Sequence, residues 1–262
     1  HCLAAVLGLV ARHGRMRELI LIRHGETVFK SEERLQGGHD SPLTEKGEGE
    51  ARKLGEALRK CCGPVHAWYV SPQGRARQTS KILRDTWQQG TTAVLPEEQV
   101  HDDIAEIRCG DWEGLQRSEI PAAELQRVHL STDIAYPNGE SVLDVSQRCM
   151  RFLGDWRRGL PETTSDGVHR TIVVSHGNLV RCMGGVLSGL GPDFAITAMK
   201  NNTAVSRFFT RAPLSAIRLA ADAKPAPDGI SDIAQKARAY MLRLLSWNHT
   251  GHLQDGNPFF AV

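Results

Sequence analysis

The 262-residue sequence lacks both a long apolar run and a block of one charge. No stretch approaches the roughly 20 apolar residues of a membrane-spanning helix. The 32 basic and 30 acidic residues nearly cancel, without the basic block expected of a protein that binds nucleic acid or a membrane surface. We therefore expect no nucleic-acid and no membrane partner. An apolar fraction of 40% suits a globular protein with a sizeable core.

Cysteine is present, but without a metal-binding pattern. The six cysteines form no Cys-x-x-Cys pair, and the histidines are not spaced as metal ligands. Free thiols in a reducing compartment are the simplest interpretation, and a zinc site or a disulfide framework is the alternative. We therefore predict a cytoplasmic protein without a bound metal.

The amino-terminal segment 1–15 has two arginines, no acidic residue and an apolar stretch. It could be a weak targeting segment. Alternatively, Met16 is the natural start and the preceding residues are an extension, either disordered or non-native. We favour the second interpretation, because Met16 directly precedes an apolar segment that is typical of a buried first strand.

Apolar strand-like segments alternate with helical periodicity along the rest of the chain, which predicts an α/β domain over residues 16–262. A segment rich in Ala, Pro and Asp predicts a surface insertion at about 213–239. The predicted strands cover 17–23, 66–72, 170–177, 203–210 and 241–247, with a short one near 94–100. The predicted helices cover about 44–60, 74–88 and 138–156, and a fourth begins at Leu179.

Three predicted strands end in side chains that suit phosphoryl transfer. One ends at Arg23-His24, one at Ser71 shortly before Arg75, and one at His176. Sites in open α/β sheets form at the carboxyl ends of the strands. If the three strands are parallel neighbours, two histidines and two arginines meet at one edge of the sheet.

These residue types match the needs of a phosphoryl group. Arginine presents a planar fork of donors to phosphate, and a neutral imidazole can attack phosphorus to give a phosphohistidine. A second, protonated imidazole can hold a phosphoryl oxygen. The leaving oxygen needs a proton, for which Glu106, Asp111 and Glu113 are candidate donors.

Five motifs occur in the order typical of one family: "LIRHGETVF…LQGGHDSPLTEKGEGEA", "SPQGRARQT", "EIRCGDWEG", "PNGESVLDVSQR" and "VVSHGNLVR". The chain thereby resembles the histidine phosphatase superfamily, in its phosphoglycerate mutase-like branch, from about Glu18 to Phe209. An earlier Arg12-His13-Gly14 is followed by none of these motifs and is interpreted as a coincidence. The resemblance implies a three-layer α/β/α sandwich with a mostly parallel sheet.

The resemblance also implies roles for particular residues. His24 would be the nucleophile, and Glu106 would protonate the leaving oxygen and later activate water. The residues that would hold the phosphoryl oxygens are Arg23, Arg75 and His176. Those that would line the phosphate pocket or the substrate entrance are Thr27, Gln36, Gly37 and Asn178. Neither a metal nor a cofactor is implied.

Lys30 departs from the family pattern, which usually has asparagine at this position. One interpretation is that Lys30 binds a second anionic group of the substrate, with Arg108 as a further candidate for that contact. The other is that Lys30 points to solvent and water replaces the amide.

The motif "EIRCGDWEGL" favours a phosphatase, since cofactor-dependent mutases of the family carry Arg-His-Tyr-Gly beside the acid. We therefore predict a metal-independent phosphatase that acts through a phosphohistidine on His24. Its substrate would be a small phosphorylated metabolite, such as a sugar phosphate or bisphosphate. The alternatives are a cofactor-dependent phosphoglycerate mutase and a catalytically idle scaffold that binds a phosphorylated ligand. The oligomeric state stays open.

Overall fold

A computed structural model describes residues 16–159, 167–198, 201–210, 243–250 and 253. The extension predicted at 1–15 and the insertion predicted at 213–239 lie outside the described residues.

A mixed sheet of six strands forms the centre of the described structure, in the order β3-β2-β4-β1-β5-β6. The strands are β1 (Met16–Arg23), β2 (Ala67–Val70), β3 (Glu98–Val100), β4 (Val168–Ser175), β5 (Val205–Thr210) and β6 (Arg243–His249). The first four strands in the spatial order are parallel, whereas β5 and β6 run antiparallel to their neighbours. The predicted mostly parallel sheet is thus confirmed.

The pairing of β1 with β4 aligns their carboxyl ends. The register runs from Met16 opposite Val168 to Arg23 opposite Ser175. Because β2 pairs with the other edge of β4, the three strands that carry the candidate groups are parallel neighbours. The residues that follow Arg23 and Ser175 therefore leave the sheet side by side.

The described helices are α1 (Val28–Ser31), α2 (Glu45–Cys61), α3 (Gly74–Gln88), α4 (Ala122–His129), α5 (Val142–Arg158), α6 (Gly177–Ser188) and α7 (Asp193–Thr197). Thr44 caps α2 by accepting from the Gly47 N–H at 3.0 Å, as its position predicted. The sequence analysis did not predict α4 and α7. It also placed α1 in a loop and started α6 at Leu179 rather than at Gly177.

Alternate side chains of β1 face opposite layers, as the two-residue period of a strand requires. Ile20 and Ile22 pack with residues of α2 and α3, whereas Leu19 and Leu21 pack with residues of α5 and α6. All four side chains are fully buried. The sheet is therefore covered on both faces, which confirms the predicted three layers.

Three further features concern the described residues. None of their helices is both long enough and apolar enough to cross a membrane. The five cysteines among them are free thiols. Their His, Cys, Asp and Glu side chains form no group of three or more that could hold a metal ion.

Candidate active site

A cleft opens at the carboxyl ends of β1, β2 and β4. Of the predicted catalytic residues, its walls include Arg23, His24, Arg75 and Glu106. Of the predicted substrate-binding residues, they include Lys30, Gln36, Gly37 and Asn178. The alignment of the parallel strands thus brings together side chains that are up to about 150 positions apart along the chain.

His24 is buried, and its ring has one defined tautomer. Its Nδ1 lies 2.7 Å from the carbonyl oxygen of Gly25. Since a carbonyl can only accept, Nδ1 carries the proton and Nε2 keeps its lone pair when the ring is neutral. Burial lowers the pKa of His24 well below its usual value, and Arg23 and Arg75 lower it further. The ring is therefore neutral at neutral pH, with a nucleophilic nitrogen.

His176 faces His24, with 5.1 Å between the ring centroids. It is fully buried, and its Nε2 lies 2.7 Å from the hydroxyl oxygen of Ser71 at the end of β2. Its Nδ1 has no hydrogen-bond partner among the described residues. Burial lowers the pKa of His176, with smaller contributions from Arg75 and His24. His176 is not among the residues that line the cleft, but a ring nitrogen without a described partner lies behind its wall, close to His24.

The guanidinium groups of buried Arg75 and partly buried Arg23 lie beside the histidines. Arg75 donates from Nη2 to the Gly37 carbonyl at 2.8 Å and from Nη1 to the His39 carbonyl at 2.9 Å. Burial lowers the pKa of Arg23 to about 10, and the nearby Glu106 carboxylate opposes this shift. Both arginines remain protonated at neutral pH and provide positive charge beside His24.

Gly37 adopts a backbone conformation that other residues rarely take, with φ of 51°. A Cβ atom there would lie 2.8 Å from the Cys109 nitrogen. The absent side chain lets the Gly37 carbonyl reach both Arg75 and Gln73, whose Nε2 donates to it at 3.0 Å. Gly37 therefore positions Arg75 through its backbone.

Thr27 is fully buried and is not among the residues that line the cleft. Its Oγ1 accepts from the Lys30 N–H at 3.3 Å and donates to Gln36 Oε1 at 3.1 Å. The Gln36 Nε2 is buried without a hydrogen-bond partner among the described residues. Thr27 does not contact a ligand directly. It holds the side-chain oxygen of Gln36, so that the Gln36 amide nitrogen stays available to donate to a ligand.

The side chain of Glu106, which lies in the loop after β3, packs against the first turn of α6. Its Oε1 accepts from the backbone N–H groups of Ile107 at 2.9 Å and Leu179 at 3.4 Å, and its Oε2 accepts from that of Asn178 at 3.4 Å. The positive end of the helix dipole favours a carboxylate at this place. Glu106 is thereby fixed in the cleft opposite the arginines.

The other two candidate acids have different positions. Asp111 accepts from the Asn138 side chain at 2.9 Å. Glu113 accepts from the N–H groups of Gly38 at 2.7 Å and Cys109 at 2.9 Å, and so braces two loops. Neither lines the cleft.

Arg108 is not brought into the cleft either. Its neighbours Ile107 and Cys109 are buried, whereas the Arg108 side chain is 69% exposed. Its backbone N–H donates to Glu140 Oε2 at 3.0 Å, so the peptide is fixed and the side chain points away. The expectation that Arg108 contacts the substrate in this cleft is therefore not supported by its position.

Lys30 lines the cleft. Burial lowers its pKa, and the positive charges of Arg23 and Arg117 lower it further. Arg117 was not predicted as a site residue, and it lines the same cleft. It is the first residue of a short 3-10 helix, Arg117–Glu119, whose place beside the cleft depends on tertiary contacts, so that no spacing in the sequence pointed to it.

Comparisons with known proteins find both similar sequences and similar structures. A curated "probable phosphoglycerate mutase" of an Enterobacter species (strain 638) is 32% identical over 200 residues, covering 73% of this chain and 84% of that protein. A solved mycobacterial glucosyl-3-phosphoglycerate phosphatase has a TM-score of 0.69 at 22% identity, covering 89% of this chain and 99% of the other.

A further solved structure is a phosphoserine phosphatase variant from Entamoeba histolytica, in complex with phosphoserine. Its TM-score is 0.64 at 23% identity, and the match covers 90% of this chain and 99% of that one. Both structural similarities confirm the fold. The family model of the histidine phosphatase superfamily (branch 1) matches residues 19–219. The chain belongs to this superfamily.

Proposed function

We propose that the protein is a metal-independent phosphatase, which hydrolyses a small phosphomonoester through a phosphohistidine on His24. The observation that carries this proposal is the tautomer of His24. Its Nδ1 proton is engaged by the Gly25 carbonyl at 2.7 Å, which leaves Nε2 as the nucleophile. Arg23 and Arg75 lie beside this nitrogen in the same cleft.

In the first step, Nε2 of His24 attacks phosphorus and the bond from phosphorus to the leaving oxygen breaks. Arg23 and Arg75 stabilise the charge on the phosphoryl oxygens. The charge of the bound dianion favours uptake of a proton from solvent by His176, whose Nδ1 then donates to a phosphoryl oxygen. Glu106 takes up a proton from solvent when the anionic substrate binds beside it, and it gives this proton to the leaving oxygen.

In the second step, water attacks the phosphohistidine from the side that the leaving alcohol occupied. The Glu106 carboxylate takes the proton of this water, and the bond from phosphorus to Nε2 breaks. Inorganic phosphate leaves, and His24 returns to its neutral form. The carboxyl group thereby alternates between acid and base, so that each turnover restores the starting state.

A mutase is the second candidate function, because the curated relative at 32% identity carries that name. A mutase must bind the carboxylate of a phosphoglycerate near the acid. Arg108, the arginine nearest to Glu106 in the motif, points away from the cleft. Together with the missing Arg-His-Tyr-Gly stretch, this favours the phosphatase.

The test is phosphate release, without added metal, from sugar mono- and bisphosphates, 2- and 3-phosphoglycerate, a phosphopeptide and an aryl phosphate. His24→Ala should abolish release. His39→Ala is the matched control, because the His39 side chain is 59% exposed and contacts the site only through its backbone carbonyl. The phosphoenzyme is trapped by rapid quenching of wild-type turnover. Because phosphohistidine is hydrolysed in acid, the trapped species is assayed at alkaline pH, where it survives.

Release that persists in His24→Ala would contradict the proposal. The mutase alternative is tested by supplying 3-phosphoglycerate with 2,3-bisphosphoglycerate. Formation of 2-phosphoglycerate faster than free phosphate would establish the mutase instead.

We also propose that Lys30 and Arg117 bind a second anionic group of the substrate. Both line the cleft, and neither side chain has an ion pair among the described residues, whereas Arg34 is paired with Glu32 at 3.0 Å. Lys30→Asn should then lower kcat/KM for bisphosphates more than for monophosphates. An unchanged ratio between the two substrate classes would rule this contact out.

A further inference from the structure

A second cavity, of about 260 Å³, adjoins the cleft. We call it the side chamber. Arg117, His129, Tyr136 and Asn178 line both spaces. The two spaces therefore share a wall, and an alcohol bonded to a phosphoryl group at His24 has the side chamber next to it.

The rest of the chamber wall is mainly apolar. Val128 and Leu130 come from the carboxyl end of α4, Ile134 from the following loop, and Ala195 and Ile196 from α7. These are the two helices that the sequence analysis did not predict. They bring apolar side chains to the entrance of a cleft whose own walls are strongly charged.

The two charged side chains of the chamber beyond the shared wall each have a hydrogen-bond partner. Arg181 donates from Nη2 to the Asn178 side-chain oxygen at 2.5 Å. Glu140 accepts from Arg148 at 2.9 Å. Arg181 keeps a buried Nε without a hydrogen-bond partner among the described residues. The apolar side chains of the chamber gain from contact with a ligand that excludes water.

We propose that the side chamber binds the organic part of the substrate, and that this part carries an apolar segment, branched or aromatic, of about six carbons or more beyond any anionic group held by Arg117. A cavity of about 150 Å³ admits a benzene ring, so the chamber has room for a group of this size. The inference rests on the proposed function, because the phosphoryl group at His24 determines where the alcohol begins.

The test compares phosphate release from ethyl, butyl, hexyl and phenylpropyl phosphate. Burying one methylene group is worth up to roughly fourfold in kcat/KM, and partial burial makes about twofold per methylene a reasonable expectation. We therefore expect the hexyl ester to exceed the ethyl ester by about tenfold or more. Equal values along the series would overturn the proposal.

Leu130 and Leu190 provide a matched pair of variants. Leu130 lines the chamber and is 64% exposed, whereas Leu190 is 63% exposed and does not line it. Because both leucines are exposed, neither replacement by asparagine should disturb the core. Leu130→Asn should lower the hexyl-to-ethyl ratio of kcat/KM severalfold, and Leu190→Asn should leave it unchanged. If the hexyl-to-ethyl ratio in Leu130→Asn equals that of the wild type, another surface causes the preference and the chamber proposal is overturned.

Binding of alkylphosphonates, measured by calorimetry, separates this inference from the proposed function. Phosphonates cannot be hydrolysed at the carbon–phosphorus bond, so that their affinity does not depend on turnover. If no ester releases phosphate but affinity rises from ethyl- to hexylphosphonate, the phosphatase proposal fails and the chamber proposal stands. If esters are hydrolysed but affinity is independent of chain length, the chamber proposal fails alone.

Discussion

Arg148 and Glu140 form a two-point ion pair, with Nε 2.9 Å from Oε1 and Nη2 2.9 Å from Oε2. The same guanidinium donates to the backbone carbonyls of Asp103 and Ala105 at 3.0 Å and of Glu106 at 3.3 Å. The loop that carries the candidate acid is thereby attached to α5. The backbone of Glu106 is thus fixed by contacts that lie outside the cleft.

We expect Arg148→Met to lower the free energy of unfolding by about 3–5 kcal/mol, because it removes the buried two-point partner of the Glu140 carboxylate and leaves only the Arg108 backbone N–H and its exposed side chain. Arg151→Met on the same helix is the control. Its ion pair with Asp103 is 57% exposed on the arginine side, so its loss should cost less than about 1 kcal/mol. Urea unfolding of both variants measures the difference. Equal losses of unfolding free energy in the two variants would contradict the expectation that the buried Arg148 pair contributes more than the exposed Arg151 pair.

Ser71→Ala should lower kcat while it changes the thermal midpoint little. The variant removes the hydroxyl group that lies 2.7 Å from His176 Nε2, and the ring then lacks its orienting contact. A hydrogen bond of this kind is worth about 1 kcal/mol, which corresponds to roughly fivefold in rate. Ser188→Ala, which removes a hydroxyl bonded to the Gly184 carbonyl in α6, should leave kcat unchanged. A similar fall of kcat in both variants would refute a positioning role for Ser71.

Gly37→Ala and Gly49→Ala should change stability in opposite directions. Gly37 has a φ of 51°, and a Cβ there would meet the Cys109 nitrogen at 2.8 Å. We expect a loss of about 1–3 kcal/mol. Gly49 lies within α2, and a Cβ there would meet nothing within 4 Å, so alanine should stabilise by roughly 0.5–1 kcal/mol. Denaturant unfolding of both variants checks the signs, and a stabilising Gly37→Ala would contradict the strain argument.

The stability of the protein should fall on acidification, partly through His169. Burial lowers the pKa of His169 to about 4, with smaller contributions from His66 and Arg17. The unfolded chain binds this proton with an ordinary pKa of about 6.5, so the stabilising term is complete above that pH and is lost as the pH falls towards 4.

In His169→Gln, the free energy of unfolding should therefore depend less steeply on pH between about 6.5 and 4. His24 and His176 have lowered pKa values too, and they contribute to the slope of both proteins. The difference between the two curves is consequently the quantity that reports on His169. Parallel curves across this interval would show that His169 titrates alike in the folded and unfolded states.

Much of the fold could be predicted from local patterns. The strand around Ile20, the helix capped by Thr44 and the helix stripe through Cys149 depend on residues close together in sequence. The short helices α4 and α7 were missed, because eight and five residues contain too little periodicity to stand out.

The candidate site was predictable only as a set of residue types. The motifs selected His24, Arg75 and His176, which strand ends deliver to one edge of the sheet. They could not show that Arg108 points away from the cleft while Arg117 points into it. Arg108 lies in an irregular loop and Arg117 begins a single 3-10 turn, and the direction of both side chains depends on contacts with distant segments.

The sequence by itself determined the family, the layered architecture and the nature of the reactive groups, because hydrophobic periodicity and motif order are properties of neighbouring residues. The tertiary structure alone decided which nitrogen of His24 carries a proton, which of three acids lines the cleft, and that a chamber with apolar side chains in its wall adjoins it. These depend on hydrogen bonds, burial and packing between segments that are far apart in the chain, and no local pattern encodes them.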